Sequence, residues 1–412
     1  MKLSLDLSQQ QAVESILNIP GLSVLTGGPG YGKTHSIFYL LEQEWGGKFN
    51  CLTTYLATPT GKAAKVLDEA LSKDENFYLS TINKPMTIHR MLGCQGKHWI
   101  HNSGNRLNCD LLILDESSMI DSALLARVIT SVNKECKIVL VGDSDQLAPV
   151  GPGCPFRDIV ASGRNVSRLA INHRQEQGSR IAGACEAIKV GKWPVSISGS
   201  DGNDGDLFFH ELEDKEDIPA QTVEICREWQ ENNEDYVVLS PQRSGVCGVE
   251  SINLILQQKL NPARQGKKEL EVAPWLTFRE GDKVLVTKNN YKLNVFNGFM
   301  GVILEIDILQ NIVIDFDGEI VVFQERKDIK NLALGYCLTY HKSQGSEYRK
   351  GIIICHSTHY FMLSRSLLYV GVSRFQDELH IIGDKKGLRR AIKNNTTSNR
   401  QTYLSQAMET FK

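Results

Sequence analysis

The sequence predicts an α/β protein of two domains, each a parallel sheet covered by helices, with a β-rich insertion in each. Three observations predict it. Short apolar runs alternate with stretches of helical spacing along most of the chain. A glycine-rich turn, GGPGYGKT, follows the first run as a phosphate cradle follows a strand. Two segments break the alternation and carry hairpin signals instead.

In the first domain, Leu22–Leu25, Leu52–Ala57, Leu111–Leu114 and Ile138–Val141 read as buried strands. Lys62 to Leu71 and Ser122 to Val132 have helical spacing between them. Continuous apolar runs, rather than alternating ones, suit a parallel sheet covered on both faces. The pattern recurs in Tyr236–Leu239, Ile352–Cys355 and Leu379–Ile382, with a helical stretch from Leu363 to Arg374. Gly93 to Asn108 lies between core elements of the first domain, and its middle, KHWIH-NSGN-RL, reads as a short hairpin with a polar turn. From about Trp275 to Lys330, the Asn297-Gly298 and Asp317-Gly318 turns punctuate β-rich runs, the mark of a small barrel-like insertion. The expected domains are therefore 1–165 with the hairpin at 93–108, then 166–274 and 331–412 with the β insertion at 275–330. Ser196 to Asp206 reads as a polar loop, and a short helix is expected near the end, beyond about Asn394.

Composition narrows the classes. The chain has 412 residues, 41% hydrophobic and 23% charged, with a net charge near −2. That balance gives no global basic footprint, so any nucleic-acid groove has to be local. Ten cysteines contain no Cys-x-x-Cys pair, which fits free thiols in a reducing compartment. No run approaches the ~18 apolar residues of a membrane span. The expectation is a cytoplasmic, monomeric protein without a membrane partner.

Gly27-x4-Gly32-Lys33-Thr34 is a P-loop pattern. Backbone N–H groups of Gly27, Gly28, Pro29, Gly30, Tyr31 and Gly32 form the cradle region, proline contributing shape rather than a donor. Lys33 would reach the β- and γ-phosphates of a nucleotide, and Thr34 would ligate Mg²⁺. In LLILDESSMID, four apolar residues deliver Asp115 and Glu116 to a strand end, expected next to the P-loop strand. Asp115 would hold Mg²⁺, and Glu116 would deprotonate the attacking water. In VGDSDQLAPVGPG, Gln146 is placed to touch both a γ-phosphate oxygen and that water.

At this point an ordered set of motifs becomes specific. LSQQQAV, TGGPGYGKT, ATPTGKAA, TIHRML, ILDESSM, VGDSDQLAPVGPG, NHRQ, LTYHKSQGSEY and YVGVSR occur in that order. PQRSGVCGVESIN and FREGDKVLVTKNNY fit the same set. Over nearly its whole length the chain resembles the RecD/Dda-type helicases of superfamily 1, the 5′-to-3′ subgroup. The resemblance implies two RecA-like domains, a strand-splitting pin inserted in the first, an SH3-like barrel inserted in the second, and ATP with Mg²⁺ used in an interdomain cleft. It implies that Gln9 reads adenine, with Gln11 the alternative, and that Arg174 and Arg374 reach the γ-phosphate. Glu347 takes the place of the ribose contact. Thr60, Thr87, His89, His341, Lys342 and Ser343 fall at strand-binding positions, whose groups suit phosphate and sugar contacts.

In the pin, Trp99 or His98 would stack on a base at the fork, or Trp99 would anchor the hairpin. The partners implied are single-stranded DNA, duplex/single-strand junctions, and a single-strand-binding or replication protein, in the host cytoplasm if the chain is phage-encoded. The alternative is a single-stranded-DNA translocase that displaces proteins with little unwinding; an RNA strand or a slow nucleotide switch are further readings. Val370-Gly371 and Asn172-His173 depart from the usual RecD-like residues, and the lack of a long N-terminal extension suits a minimal motor. Cys94, His98, His101 and Cys109 do not have the spacing of a common zinc site, and Cys355, His356 and His359 cluster but directly follow a strand. The acidic run Glu211 to Asp217 is read as a solvated face.

Overall fold

A computed structural model describes residues 5–46, 53–73, 83–173, 178–194, 205–395 and 404. The chain divides into two compact units, residues 1–178 with 396–412, and residues 179–395.

The first unit is built on strands β1 (Leu22–Thr26), β2 (Thr54–Thr58), β3 (Met86–Thr87), β4 (Cys94–Gln95), β5 (His98–Trp99), β6 (Leu111–Leu114), β7 (Lys137–Gly142) and β8 (Val166–Arg168). Six of these form one sheet in the order β3-β2-β6-β7-β1-β8. Every pairing in it is parallel. Both faces are buried, which is why the runs are apolar throughout. Leu25, Leu56, Leu111, Ile113, Val139 and Val141 pack on one face with the helices Leu7–Asn18, Lys33–Gly46 and Gly61–Ser72. Their chain neighbours Val24, Ala57, Leu112, Leu114, Ile138 and Leu140 turn to the other face, against Ser122–Ser131 and Pro155–Ser162. This is the period-two alternation of a strand with no solvent side.

Three details differ from the sequence reading. β7 lies between β1 and β6, so the Asp115 strand is one place further from the P-loop strand than expected. β8 pairs with β1, and residues 166–178 therefore belong to the first unit rather than opening the second. The hairpin is shorter than the reading, with two pairs, Cys94↔Trp99 and Gln95↔His98, around a Gly96-Lys97 turn. The NSGN turn is a separate one, where Asn102 bridges Asn105. Of the expected 196–206 loop only residues 205 and 206 are described; there Asp206 accepts from Ser179 Oγ (2.5 Å) and from Arg180 N (2.9 Å) at the start of helix Arg180–Lys189. The expected terminal helix lies outside the described residues apart from Leu404.

The second unit carries β9 (Leu207–Glu211), β10 (Tyr236–Ser240), β11 (Glu269–Ala273), β12 (Leu276–Arg279), β13 (Lys283–Val286), β14 (Met300–Ile306), β15 (Ile312–Phe316), β16 (Glu319–Phe323), β17 (Leu332–Leu334), β18 (Cys337–Thr339), β19 (Tyr348–Cys355) and β20 (Phe375–Gly383). Its main sheet, β18-β10-β19-β20-β9, is again wholly parallel. Between β10 and β18 the chain makes an antiparallel sheet, β16-β15-β14-β13-β17, preceded by the β11–β12 hairpin. The insertion and the α/β layer share one apolar core, from Trp229 and Tyr236 through Phe278 to Phe316 and Phe323. Residues 211 and 213–217 of the acidic run are exposed, as a solvated face requires.

The barrel is tied to its base by one carboxylate. Asp282 is fully buried and accepts from Gln257 Nε2 (2.6 Å), Asn261 Nδ2 (2.7 Å), Arg279 N (2.7 Å) and Tyr336 OH (3.0 Å). These donors come from helix Val249–Leu260 and its cap, from the end of β12, and from the residue before β18. Burial raises the Asp282 pKa even though the four hydrogen bonds work against it. Replacing Asp282 by Ala removes an acceptor from four donors, of which Gln257 and Asn261 keep Thr277 O and Glu280 O, and is expected to lower stability by about 3 kcal/mol. Urea unfolding measures it, and a midpoint equal to the parent's would remove the carboxylate from this role.

Candidate functional site

Because the first sheet is all parallel, every strand delivers its following loop to the same edge. β1 delivers the P-loop, β2 delivers Thr60, β3 ends in Thr87, β6 delivers Asp115 and Glu116, and β7 delivers Asp143 and Gln146. The register sets them level: Thr26 is opposite Gly142, Leu114 is opposite Leu140, and Thr58 is opposite Thr87. Crevices of this kind, outside the carboxyl ends of parallel strands, are where open α/β sheets bind ligands.

The P-loop turns through Gly30 (φ 83°) and Gly32 (φ 75°), left-handed positions that favour glycine. It ends on the helix Lys33–Gly46, whose first N–H groups and dipole favour an anion. Lys33 Nζ donates to the carbonyls of Gly27 (2.9 Å) and Gly28 (3.0 Å). Those acceptors are neutral, so a phosphate would be a stronger partner for the ammonium. Tyr31 packs beside the core of that face and leaves its backbone in the loop.

Behind the loop sits a small locked assembly. Asp6 caps helix Leu7–Asn18 by accepting from Gln9 N (2.9 Å), and Gln9 Oε1 accepts from Asp6 N (3.0 Å). Gln9 Nε2 donates to Tyr31 O (3.3 Å), and His173 N donates to Gly30 O (3.1 Å). His173 Nε2 lies 3.0 Å from Asp6 Oδ2. Gln9 is thus buried against the P-loop, whereas Gln11 is exposed. Asp6 went unmentioned in the sequence reading, although Asp6-x-x-Gln9 has the spacing of a capping box. Burial works to raise the Asp6 carboxyl, but hydrogen bonds from Ser8, Gln9 and His173 hold it below its ordinary value.

Asp115 stands at the end of β6, its N–H donating to Ala57 O (3.0 Å). Its carboxyl is pushed up to about 6 by desolvation and by the Glu116 charge; the Glu116 N–H and Lys33 pull the other way. Glu116 itself adopts φ 52°, a left-handed conformation that costs about 1–3 kcal/mol outside glycine and occurs most at functional sites. Gln146 is 5% exposed, and its Oε1 has no hydrogen-bond partner among the described residues. Ser118 Oγ is in the same condition, and both line one small pocket with Asp143, Cys154 and Phe156. Thr34 follows Lys33 in the first turn of its helix. A hydroxyl and a carboxylate beside a lysine form a donor set that suits a hard, oxygen-liganded cation.

The strand-contact positions behave less uniformly. Thr60 and Thr87 spend their side-chain oxygens capping the helices Gly61–Ser72 and Ile88–Met91, accepting from Ala63 N (3.3 Å) and Arg90 N (3.2 Å). His89 is exposed beside Trp99, which is half-buried. In the second unit, Thr339 caps the turn Tyr340–Ser343. Burial lowers the His341 pKa, and burial followed by the nearby Arg243 charge lowers that of Lys342. Ser343 is fully buried and its hydroxyl donates to Tyr340 O (2.8 Å) within the turn.

Arg174 lies outside the described residues. Arg374 is 4% exposed and, among the described residues, donates to neutral oxygens: Val370 O (3.2 Å), Ser346 O (3.3 Å) and Ser373 Oγ (3.3 Å). A buried guanidinium without a carboxylate favours an anion nearby. Glu347 accepts from Gln376 Nε2 on β20. Gly371 explains one departure from the family pattern: a Cβ there would collide with the Tyr340 ring, which is fully buried and donates to Ile354 O (3.1 Å). No group of three or more His, Cys, Asp or Glu able to hold a metal ion occurs among the described residues. In the first cysteine–histidine set Cys109 is buried and its thiol donates to Leu111 O (3.2 Å), while His98 is exposed. No described helix is long and apolar enough to cross a membrane.

Comparison with known proteins places these features. A model of the AAA domain matches residues 4–203, one of the ATP-dependent RecD-like DNA helicase SH3 domain matches 252–316, and one of the UvrD-like helicase C-terminal domain matches 334–382. The chain is 33% identical to the ATP-dependent RecD2 DNA helicase of Deinococcus radiodurans, over 92% of this chain and 49% of that protein. It is 30% identical to the RecBCD enzyme subunit RecD of Mycobacterium tuberculosis, over 93% of this chain and 70% of that one. It thus spans about half the length of the RecD2 relative. In fold it is similar to the Pif1 helicase from Bacteroides solved with ADP-AlF3 and single-stranded DNA, with a TM-score of 0.59, 18% identity, and coverage of 99% and 97% of the two chains.

An added methyl at Gly32 would meet both the left-handed backbone penalty and the Gln9 amide. Gly32→Ala is therefore expected to weaken binding of a fluorescent ATP analogue at least about tenfold. Unchanged affinity in a fluorescence titration would mean the Gln9–P-loop lock has no part in nucleotide binding.

Proposed function

Because the chain belongs to the RecD-like helicase family, we propose that it is an ATP-dependent DNA helicase moving 5′ to 3′ on single-stranded DNA. The observation that carries this reading is the shared edge of the first sheet, where Lys33, Asp115, Glu116 and Gln146 are set level by parallel register. Thr34 and Asp115 would hold Mg²⁺, which when bound offsets the charge of the β- and γ-phosphates. Lys33 exchanges its two carbonyl partners for phosphate oxygens. Glu116 accepts the proton of the attacking water, and Gln146 holds that water with its unpartnered Oε1. Arg174 and Arg374 stabilise charge on the transferring phosphoryl group. Gln9 and Glu347 serve the base and ribose.

For the strand, Thr60 and Thr87 act through the capped helix N-termini they create, whose free N–H groups suit phosphates. His89, His341 and Lys342 add side-chain contacts that carry no sequence information. The partners are single-stranded DNA and its junctions with duplex, together with a single-strand-binding or replication protein; the location is cytoplasmic. A second reading, a translocase that displaces proteins and unwinds poorly, is favoured by the pin's ladder of only two residue pairs.

The test is unwinding of two duplexes, one with a 5′ and one with a 3′ single-stranded tail, beside DNA-stimulated ATP hydrolysis. Only the 5′-tailed duplex should open. Glu116→Gln should bind ATP normally and lose about 10²–10⁴-fold in hydrolysis rate. A Glu116→Gln or Lys33→Ala protein with full DNA-stimulated activity would refute the site, and opening of the 3′-tailed duplex alone would refute the direction.

A further inference from the structure

The pin raises a question that exposure and stacking answer. Its tip is Gln95, Gly96, Lys97 and His98, all exposed, with Gly96 at φ 66° making the two-residue turn. Trp99, the large aromatic of the hairpin, is not at the tip. Its ring packs against the core of the first unit. The His89 ring lies 5.3 Å away, tilted by 35°, and the Arg127 guanidinium carbon lies 4.7 Å from the Trp99 ring centroid. That distance is within the range of a cation–π contact. Arg127 is exposed on helix Ser122–Ser131, has no carboxylate partner among the described residues, and holds its guanidinium over the ring.

The backbone repeats the connection. Ile100 N donates to Gly93 O (3.2 Å) and His101 N to Leu92 O (3.1 Å), joining the descending arm of the hairpin to the end of the helix that carries His89. Ser131 Oγ donates to His101 O (3.1 Å) and Leu107 N to Ser131 O (2.7 Å), joining the other side to the Arg127 helix. Asn102 Nδ2 holds the carbonyl of Trp99 itself (3.2 Å).

We infer that Trp99 is a positioning residue: it joins the pin to His89 and Arg127, and the group that meets the fork is His98, with Lys97 beside it. This inference rests on the helicase reading. A base at the junction meets an exposed imidazole and an ammonium at the tip, while the indole is already engaged at the hairpin's foot. Strand grip at His89 and duplex splitting at the tip are then mechanically linked through one ring. A change on the far helix, at Arg127, reaches both.

The experiment uses the full chain and the exposed residue Arg127, whose loss leaves no buried group unpaired. Arg127→Gln should keep the DNA-free ATPase rate. It should raise the single-stranded DNA concentration for half-maximal ATPase by about two- to fivefold, at unchanged maximal rate, and slow unwinding of the 5′-tailed duplex. Arg127→Lys, which keeps a cation over the ring, should restore most of both. His98→Ala should slow unwinding while the half-saturating DNA concentration stays at the parent's value. Hydrogen exchange at the Ile100 and His101 amides should rise in Arg127→Gln, a readout that needs no motor activity. If Arg127→Gln matches the parent in exchange, the positioning role is refuted. If Trp99→Phe loses unwinding with no change in half-saturation or exchange, Trp99 is the fork-stacking group and the inference is refuted. A parent without any DNA-stimulated ATPase would instead refute the helicase reading, and the exchange measurement would still decide the role of Trp99.

Discussion

Parallel pairing is the constraint on which the rest of the molecule depends. Antiparallel strands would send alternate loops to opposite ends of the sheet. In the first unit all six strands run the same way, so five different loops arrive at one edge. Parallel sheets need helices on both faces to cover them, and that requirement explains the composition of the strands. Leu111–Leu114 is apolar at every position because successive side chains serve opposite cores, and its next two residues are the carboxylates. Burial of the strand and presentation of the acids are one arrangement: the apolar run ends where the sheet ends.

Groups left strained or unpartnered gather at that edge. Glu116 is left-handed, Gln146 Oε1 is buried without a partner among the described residues, and Asp115 is pushed toward neutrality. Each is unfavourable for an isolated folded chain. In the second unit Arg374 is buried among neutral oxygens with its charge unmatched. Polar ligands at the edge of the first sheet would give Gln146 Oε1 and the Asp115 carboxylate partners. The locked assembly of Asp6, Gln9, the P-loop and His173 has the opposite character. It holds the cradle in shape, so that the change on binding falls on the acids and the amide.

The two insertions are fastened by different physics. The barrel depends on a buried carboxylate that organises donors from four places, reinforced by Lys283, which bonds Tyr236 O (2.8 Å) and stands over the Tyr236 ring. The pin is joined by the ring contacts of the half-buried Trp99 and by a few backbone hydrogen bonds. The first therefore acts as part of the domain core, and the second is sensitive to single exposed side chains.

Local pattern was enough for much of this. Glycine spacing after an apolar run specifies a P-loop because glycine adopts left-handed turns at the least cost, and the Asn-Gly and Asp-Gly signals mark the barrel for the same reason. The ordered motifs identified the family. Short strands such as β3, β8 and β18 gave too few residues for a period, and the place of β7 between β1 and β6 is a matter of sheet order, which no local pattern encodes. Side-chain roles that depend on competition for partners were also decided only by tertiary structure. Ser343 Oγ donates to Tyr340 O, and Gln9 is buried against the P-loop while Gln11 is exposed. Sequence by itself determined the kinds of groups present and their order along the chain. Tertiary structure decided which of them remain free to act, because a polar atom's availability depends on what the fold brings within hydrogen-bond distance of it.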